Sequence, residues 1–167
     1  MSLASALPTV VVLVTSLAVS FSADAQTTNS FQSPILPPNA ASIDGRPLWP
    51  DREKQRLVIL DFFTSWCLPC RLESQNLERM KQRIGADRLL LLGIDVREDR
   101  AKALLFVRET HVNFPVILDD GTLESKYKVY MYPVVLVFDR QTNRVYRFEG
   151  ENSTINATVQ RLLETQK

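Results

Sequence analysis

Cys67 and Cys70 are the only cysteines in the chain, and two residues separate them. Four chemistries use that spacing. A zinc site needs about four ligands, and beyond this pair the sequence offers a single histidine, His111, far along the chain. A covalently attached c-type haem needs His directly after the second Cys, where Arg71 stands. A structural disulfide stays open, although so short a loop removes little entropy from the unfolded chain when closed. Placement favours the fourth, reversible dithiol–disulfide exchange. Cys67 lies where an apolar run of strand length gives way to a helical pattern, so a helix start stands ready to stabilise its thiolate.

Two carboxylates fall close to the thiols. Asp61 interrupts the apolar run LVILDFF, where an unpaired charge is costly. Either it sits at an edge and reaches water, or it is buried with a raised pKa, and then it is placed to take the proton of Cys70. Cys70, Glu73, Leu77, Met80 and Ile84 follow a three-four-three-four spacing and share one helix face. Glu73 is therefore expected one turn beyond Cys70 and partly buried, either as a second acid of the site or as a favourable acid near a helix start. Two acids beside one thiol pair should titrate as a coupled set.

The elements that hold these residues alternate in type. Leu57 to Phe63 and Leu89 to Val96 read as strands buried on both faces. Leu68 to Ile84 and Asp99 to Thr110 read as helices. A short strand from Phe114 to Leu118, a turn and a short helix to about Tyr127 follow. Val134 to Phe138 and Val145 to Phe148, joined by RQTN, should pair antiparallel, and a helix from Asn152 to Glu164, capped by Asn152 or Ser153, closes the chain. SIDGRPLW carries a hairpin signal at Asp44-Gly45. Strands interleaved with helices imply a mixed three-layer α/β domain over 42–167.

The 167 residues are 45% hydrophobic and carry a net charge of +1 with no basic cluster, so nothing points to electrostatic binding of nucleic acid or of a membrane surface. Residues 1–25 differ in kind. They are apolar or small from Leu7 to Phe21 and end in Ala23-Asp24-Ala25, an A-x-A cleavage signal, so export is expected. No Lys or Arg precedes the run, and an uncleaved membrane anchor is the other reading. Residues 26–41, polar and rich in proline, read as a linker.

TSWCLPCRLE resembles the W-C-x-P-C active site of the thioredoxin fold, and C-x-P-C-R-x-E resembles the exported TlpA/ResA-type thiol–disulfide oxidoreductases. DGRPL, NFPVILD and YKVYMYPVVLVFDRQTNRVYRFEG match further stretches of that family in order. The resemblance implies a thioredoxin-like sandwich with a mixed central sheet, an N-terminal β-hairpin and a central inserted β-α unit. It makes Cys67 the exposed attacking thiolate, Cys70 the buried resolving thiol and Trp66 their cover. Pro133 would be a cis-proline facing the disulfide, with Tyr132 offering backbone hydrogen bonds to substrate. It also implies a periplasmic protein that reduces disulfides of other proteins, such as apocytochrome c or metal-site assembly factors. A membrane-bound thiol donor would re-reduce it, and no metal or cofactor is needed. A disulfide-forming oxidase or isomerase, and a non-enzymatic binding module, are the alternatives.

The sequence also departs from the family. Gln75 replaces a helix proline, Lys128 and Met131 replace glycines, and Val134 replaces a threonine. These changes predict an unkinked helix and a bulkier, more apolar groove. His111 reads as a surface residue at a helix end. The N-x-S/T sequences at Asn152 and Asn156 fit the glycosylation pattern, and capping and ordinary helix surface explain them at least as well.

Overall fold

The computed structural model describes residues 26–28, 35–45, 48, 55–85 and 87–165. The leader, residues 1–25, lies outside the described residues.

Seven consecutive buried residues form β2 (Leu57–Phe63), and eight form β3 (Leu89–Val96). They pair in parallel, Asp61 opposite Gly93, as expected of strands covered on both faces. β4 (Val116–Asp119) extends β3 in parallel. On the other side β5 (Val134–Asp139) and β6 (Arg144–Glu149) run antiparallel, with β5 against β2. A three-residue strand, β1 (Gln26–Thr28), pairs with β6. Among the described residues the sheet order is β1-β6-β5-β2-β3-β4, which places β2, and Asp61 with it, in the interior.

Alternation along the strands sorts side chains to two faces. Leu57, Ile59, Phe63, Leu89 and Leu91 face α1 (Leu68–Ile84), α2 (Arg100–Thr110) and α4 (Thr154–Glu164), which contribute Leu77, Met80, Phe106, Val159 and Leu162. Val58, Leu60, Phe62 and Leu92 face the opposite way, beneath Leu123 of the short α3 (Thr122–Lys126) and beneath Ile35, Leu36 and Leu48. The third layer is therefore thin. β4 and α3 form the inserted β-α unit at the edge beside β3. The whole is a thioredoxin-like α/β fold.

Two N-terminal expectations meet a different picture. Within the stretch read as a linker, Gln26–Thr28 joins the sheet edge, and Ile35 and Leu36 are buried. Their apolar side chains cover a sheet face that the five-residue α3 is too short to close. The hairpin expected at SIDGRPLW is seen as a turn, with Gly45 N–H donating to Ser42 O at 2.8 Å and Ile43 N–H to Val116 O at 2.7 Å. Residues 46 and 47, which its second strand would need, lie outside the described residues.

Local rules account for the element ends. Asp99 caps α2 by accepting from Lys102 N–H at 2.9 Å, and His111 ends that helix in the left-handed region at φ 57. Ser153 stands at the N-cap of α4 with no side-chain bond of its own, and Asn152 before it accepts from Thr154 N–H at 2.9 Å, so the regular helix begins at Thr154 rather than Asn152.

Candidate active site

The strand-to-helix turn after β2 carries the cysteines. Cys67 is the N-cap residue of α1 and Pro69 stands in the first helical turn, a position where its missing N–H costs nothing. Cys67 and Cys70 are joined as a disulfide, and Cys70 N–H donates to Cys67 Sγ at 3.2 Å. That donor is one of the unpaired amides of a helix N-terminus, a setting that favours negative charge on the sulfur. Cys70 is fully buried and Cys67 is 5% exposed. Cys67 is thus more recessed than the exposed thiol expected, because its sulfur is drawn to a partner inside the core. It is still the only one of the two with surface to offer.

Asp61 is the group beneath them. It is fully buried on an interior strand, which rules out the edge position left open by the sequence. It occupies the sheet face that packs against Cys67, Cys70 and Leu77. Ser74, one turn beyond Cys70, donates to Asp61 Oδ2 at 2.6 Å, while Oδ1 meets no donor among the described residues. Burial raises the Asp61 pKa to about 7; Ser74 opposes the rise and the charge of Glu73 adds to it. Ser74 had no place in the sequence reading, although its i+4 spacing from Cys70 was the available signal.

Glu73 is buried and lies one turn beyond Cys70, on the face its spacing required. Its Oε2 accepts from Asn152 N–H at 3.0 Å, so it ties α1 to the start of α4. Burial raises its pKa, with the Asn152 bond opposing and Glu151 reinforcing. The charge of Glu73 is one of the influences that raise the pKa of Asp61, the smallest after burial and the Ser74 bond.

The opposite wall comes from the loop before β5. The Tyr132–Pro133 peptide is cis, and Pro133 O accepts from Gly150 N–H at 2.9 Å. The Tyr132 ring lies edge-on to that of Trp66, with centroids 6.4 Å apart, so this loop meets the residue that precedes Cys67. Trp66 is 73% exposed and Tyr130 84%, and Leu68, Leu72 and Met131 add further exposed apolar surface. Lys128 holds the left-handed backbone at φ 51. Its carbonyl and that of Tyr127 accept from Arg147 at 3.0 and 2.9 Å, which supports that conformation. Tyr127 is half-buried, packed edge-on against Phe62 and Phe138.

Another buried acid with a raised pKa was missed. Asp95 is fully buried, and neither of its oxygens meets a donor at hydrogen-bond distance among the described residues. Burial, then the charge of nearby Glu98, raises its pKa to about 8. Hidden in the apolar run LLLLGIDV, it carried the same signal as Asp61, a charge in a buried strand. Among the described residues no group of three His, Cys, Asp or Glu side chains is arranged to hold a metal ion.

Comparison with known proteins gives this arrangement a family. The AhpC/TSA family model matches residues 43–146. The chain belongs to the AhpC/TSA family. Among curated relatives, the chain is 26% identical over 101 residues to the thiol-disulfide oxidoreductase ResA of Bacillus cereus, covering 60% of this chain and 58% of that one. It is 25% identical over 114 residues to the thiol:disulfide interchange protein DsbE of Pseudomonas aeruginosa, covering 67% and 56%. The chain thus spans a little over half the length of these relatives. Among solved structures, a thioredoxin-family thiol:disulfide interchange protein of Chlorobium tepidum superposes with a TM-score of 0.65 at 23% identity, covering 85% of this chain and 97% of that one. StoA of Bacillus subtilis superposes with a TM-score of 0.59 at 20% identity, covering 77% and 94%. These likenesses establish the thioredoxin fold, with its TlpA/ResA-type relatives, that the motif resemblance implied.

Proposed function

We propose that this protein is an exported thiol–disulfide oxidoreductase that reduces disulfides in other polypeptides. The observation that carries the reading is the Cys67–Cys70 disulfide at the N-terminus of α1, with Cys67 capping the helix and Asp61 buried on the adjoining sheet face.

In the reduced protein the Cys67 thiolate attacks one sulfur of a substrate disulfide. A Cys67–substrate bond forms, the substrate S–S bond breaks and the first substrate thiolate leaves. Cys70 then gives its proton to Asp61, whose Oδ1 meets no donor among the described residues, and attacks Cys67 Sγ. The Cys67–Cys70 bond closes and the second substrate thiolate departs. The substrate has gained two electrons and the protein has lost them, so a thiol donor must restore it. Trp66, Tyr132 and Pro133 line the groove in which the polypeptide lies. Glu73 supports the pair by holding the α4 start and by raising the pKa of Asp61.

The reducing direction is supported by the TlpA/ResA-like signature, and export by the apolar leader with its A-x-A sequence; the reading is of a periplasmic protein, free or anchored. Apocytochrome c cysteines and metal-site assembly factors fit as substrates, with a membrane-bound thiol donor upstream. Insulin reduction tests the reading. Wild-type protein should turn over with dithiothreitol as donor and Cys67→Ser should not; equal rates would remove Cys67 from the chemistry.

A further inference from the structure

The turn between β3 and α2 reaches both walls of the groove, and the exchange steps do not use it. Glu98, whose side chain is 6% exposed, accepts twice from Ser65: Oε1 from Ser65 Oγ at 2.8 Å and Oε2 from Ser65 N–H. Ser65 stands two residues before Cys67, so these bonds fix the peptide that carries Trp66. From the other side Arg71 donates to Ser65 O at 2.9 Å, and Arg71 is itself paired with Glu109 and laid over the Phe106 ring.

Arg97 reaches the opposite wall. Its Nε donates to Glu124 Oε2 at 2.6 Å, and Glu124 Oε1 accepts from the Tyr132 hydroxyl at 2.5 Å. Arg97 holds a left-handed backbone at φ 56, a state that non-glycine residues keep only when their surroundings enforce it. Its guanidinium covers Gly121, whose φ of 107 favours glycine. The inserted β-α unit is thereby connected to the residue that precedes the cis-proline.

We propose that Arg97 and Glu98 are positioning residues that set the Trp66–Cys67 turn and the Tyr132–Pro133 loop relative to one another. Glu98 keeps Cys67 at the helix N-cap and so governs its ionisation, whereas Arg97, acting through Glu124 and Tyr132, shapes the wall against which a polypeptide disulfide docks. The two arms meet where the Trp66 and Tyr132 rings touch edge-on. This rests on the exchange reading for its purpose, but its tests do not require turnover.

In a Cys70→Ser background, Glu98→Gln and Glu98→Ala carry the same charge and differ in whether an oxygen remains to accept from Ser65. Following the Cys67 thiolate by ultraviolet absorbance, the Ala variant should titrate about one pH unit above the Gln variant, a roughly tenfold smaller thiolate fraction near neutrality. Folded variants that titrate together overturn the role of Glu98. Should Glu98→Ala not fold, Glu98→Met, which fills a similar space without an oxygen to accept from Ser65, takes its place: a Cys67 titration equal to that of the Gln variant overturns it equally. Arg97→Ala, in the same background, should slow mixed-disulfide formation with a cystine-bridged peptide several-fold and leave the rate with oxidised glutathione unchanged. Equal changes in the two rates, or none in either, overturn the role of Arg97. Any accessible thiol undergoes these reactions, so failure of insulin reduction by wild type would sink the enzymatic reading without deciding these comparisons.

Discussion

Ser74 holds one oxygen of the fully buried Asp61 at 2.6 Å, and the other meets no donor among the described residues. A carboxyl so placed, with its pKa raised to about 7, is half-protonated near neutrality and able to accept a proton there. Asp61→Asn should slow resolution of the Cys67-linked mixed disulfide by about a hundredfold at neutral pH, the lower range of general-base effects, and leave its formation almost unchanged. Since the base acts when deprotonated, the wild-type resolution rate should rise as pH passes through about 7, and the Asn variant should lack that rise. Rapid-quench mass analysis of the mixed disulfide separates the two steps; a matching pH profile in the variant would exclude Asp61.

The neighbours of Asp61 push its pKa in opposite directions, and that is testable in a pair of variants. Ser74→Ala removes the hydrogen bond that holds the pKa down, so the midpoint of the resolution profile should move to higher pH. Glu73→Gln removes the charge that holds it up and retains an acceptor for Asn152 N–H, so the midpoint should move to lower pH. Shifts of the same sign would show that the pair is not coupled in this way.

Asp61 and Asp95 also make stability depend on pH. Each has a folded-state pKa well above its unfolded value, so between about 4 and about 7 to 8 the folded state binds the additional proton. Stability should therefore be highest at the acid end of that window, fall as pH rises through it, and level off above the folded pKa. The limiting slope is ~1.4 kcal/mol per pH unit for each group. Asp95→Asn should gain on wild type as pH rises from 5 to 8 because one of the two contributions is gone, Lys102 being the cation that offsets Glu98 and Asp99 around it. Urea unfolding at the two pH values provides the check, and parallel curves would contradict it.

Gly93 pairs with Asp61 on one side and Val116 on the other. A Cβ there would lie 2.9 Å from both the Phe63 and Phe114 rings, which are buried and cannot swing away. Gly93→Ala should cost about 1–3 kcal/mol by overpacking, measured by chemical denaturation, with the Cys67–Cys70 chemistry retained in the folded fraction. A neutral or stabilising result would mean that these rings give way.

Much of this arrangement was legible before any coordinates. The bounds of β2, α1 and β3 follow from unbroken apolar runs and from the spacing that continues from Cys70 through Ile84, because a buried strand and a one-sided helix leave a strong periodic trace. Asp61 and Glu73 were visible as charges at positions the pattern assigned to the interior. What stayed hidden depends on side-chain geometry between distant segments. Glu98 on Ser65, Arg97 on Glu124 and Asn152 on Glu73 are contacts across 33, 27 and 79 residues, and no local spacing announces them. Ile35 and Leu36 were read with their polar surroundings, and nothing nearby showed that α3 would leave a sheet face to cover.

The central claim is that Cys67 is the ionised nucleophile and Cys70 the inaccessible resolving thiol. Alkylation of the reduced protein by iodoacetamide across pH, with each cysteine quantified by peptide mapping, tests it directly. Cys67 should react with a midpoint clearly below the value of about 8.5 for a free thiol, while Cys70 stays unmodified until the protein unfolds. Alkylation of Cys70 first, or a Cys67 midpoint at or above that value, would contradict the mechanism.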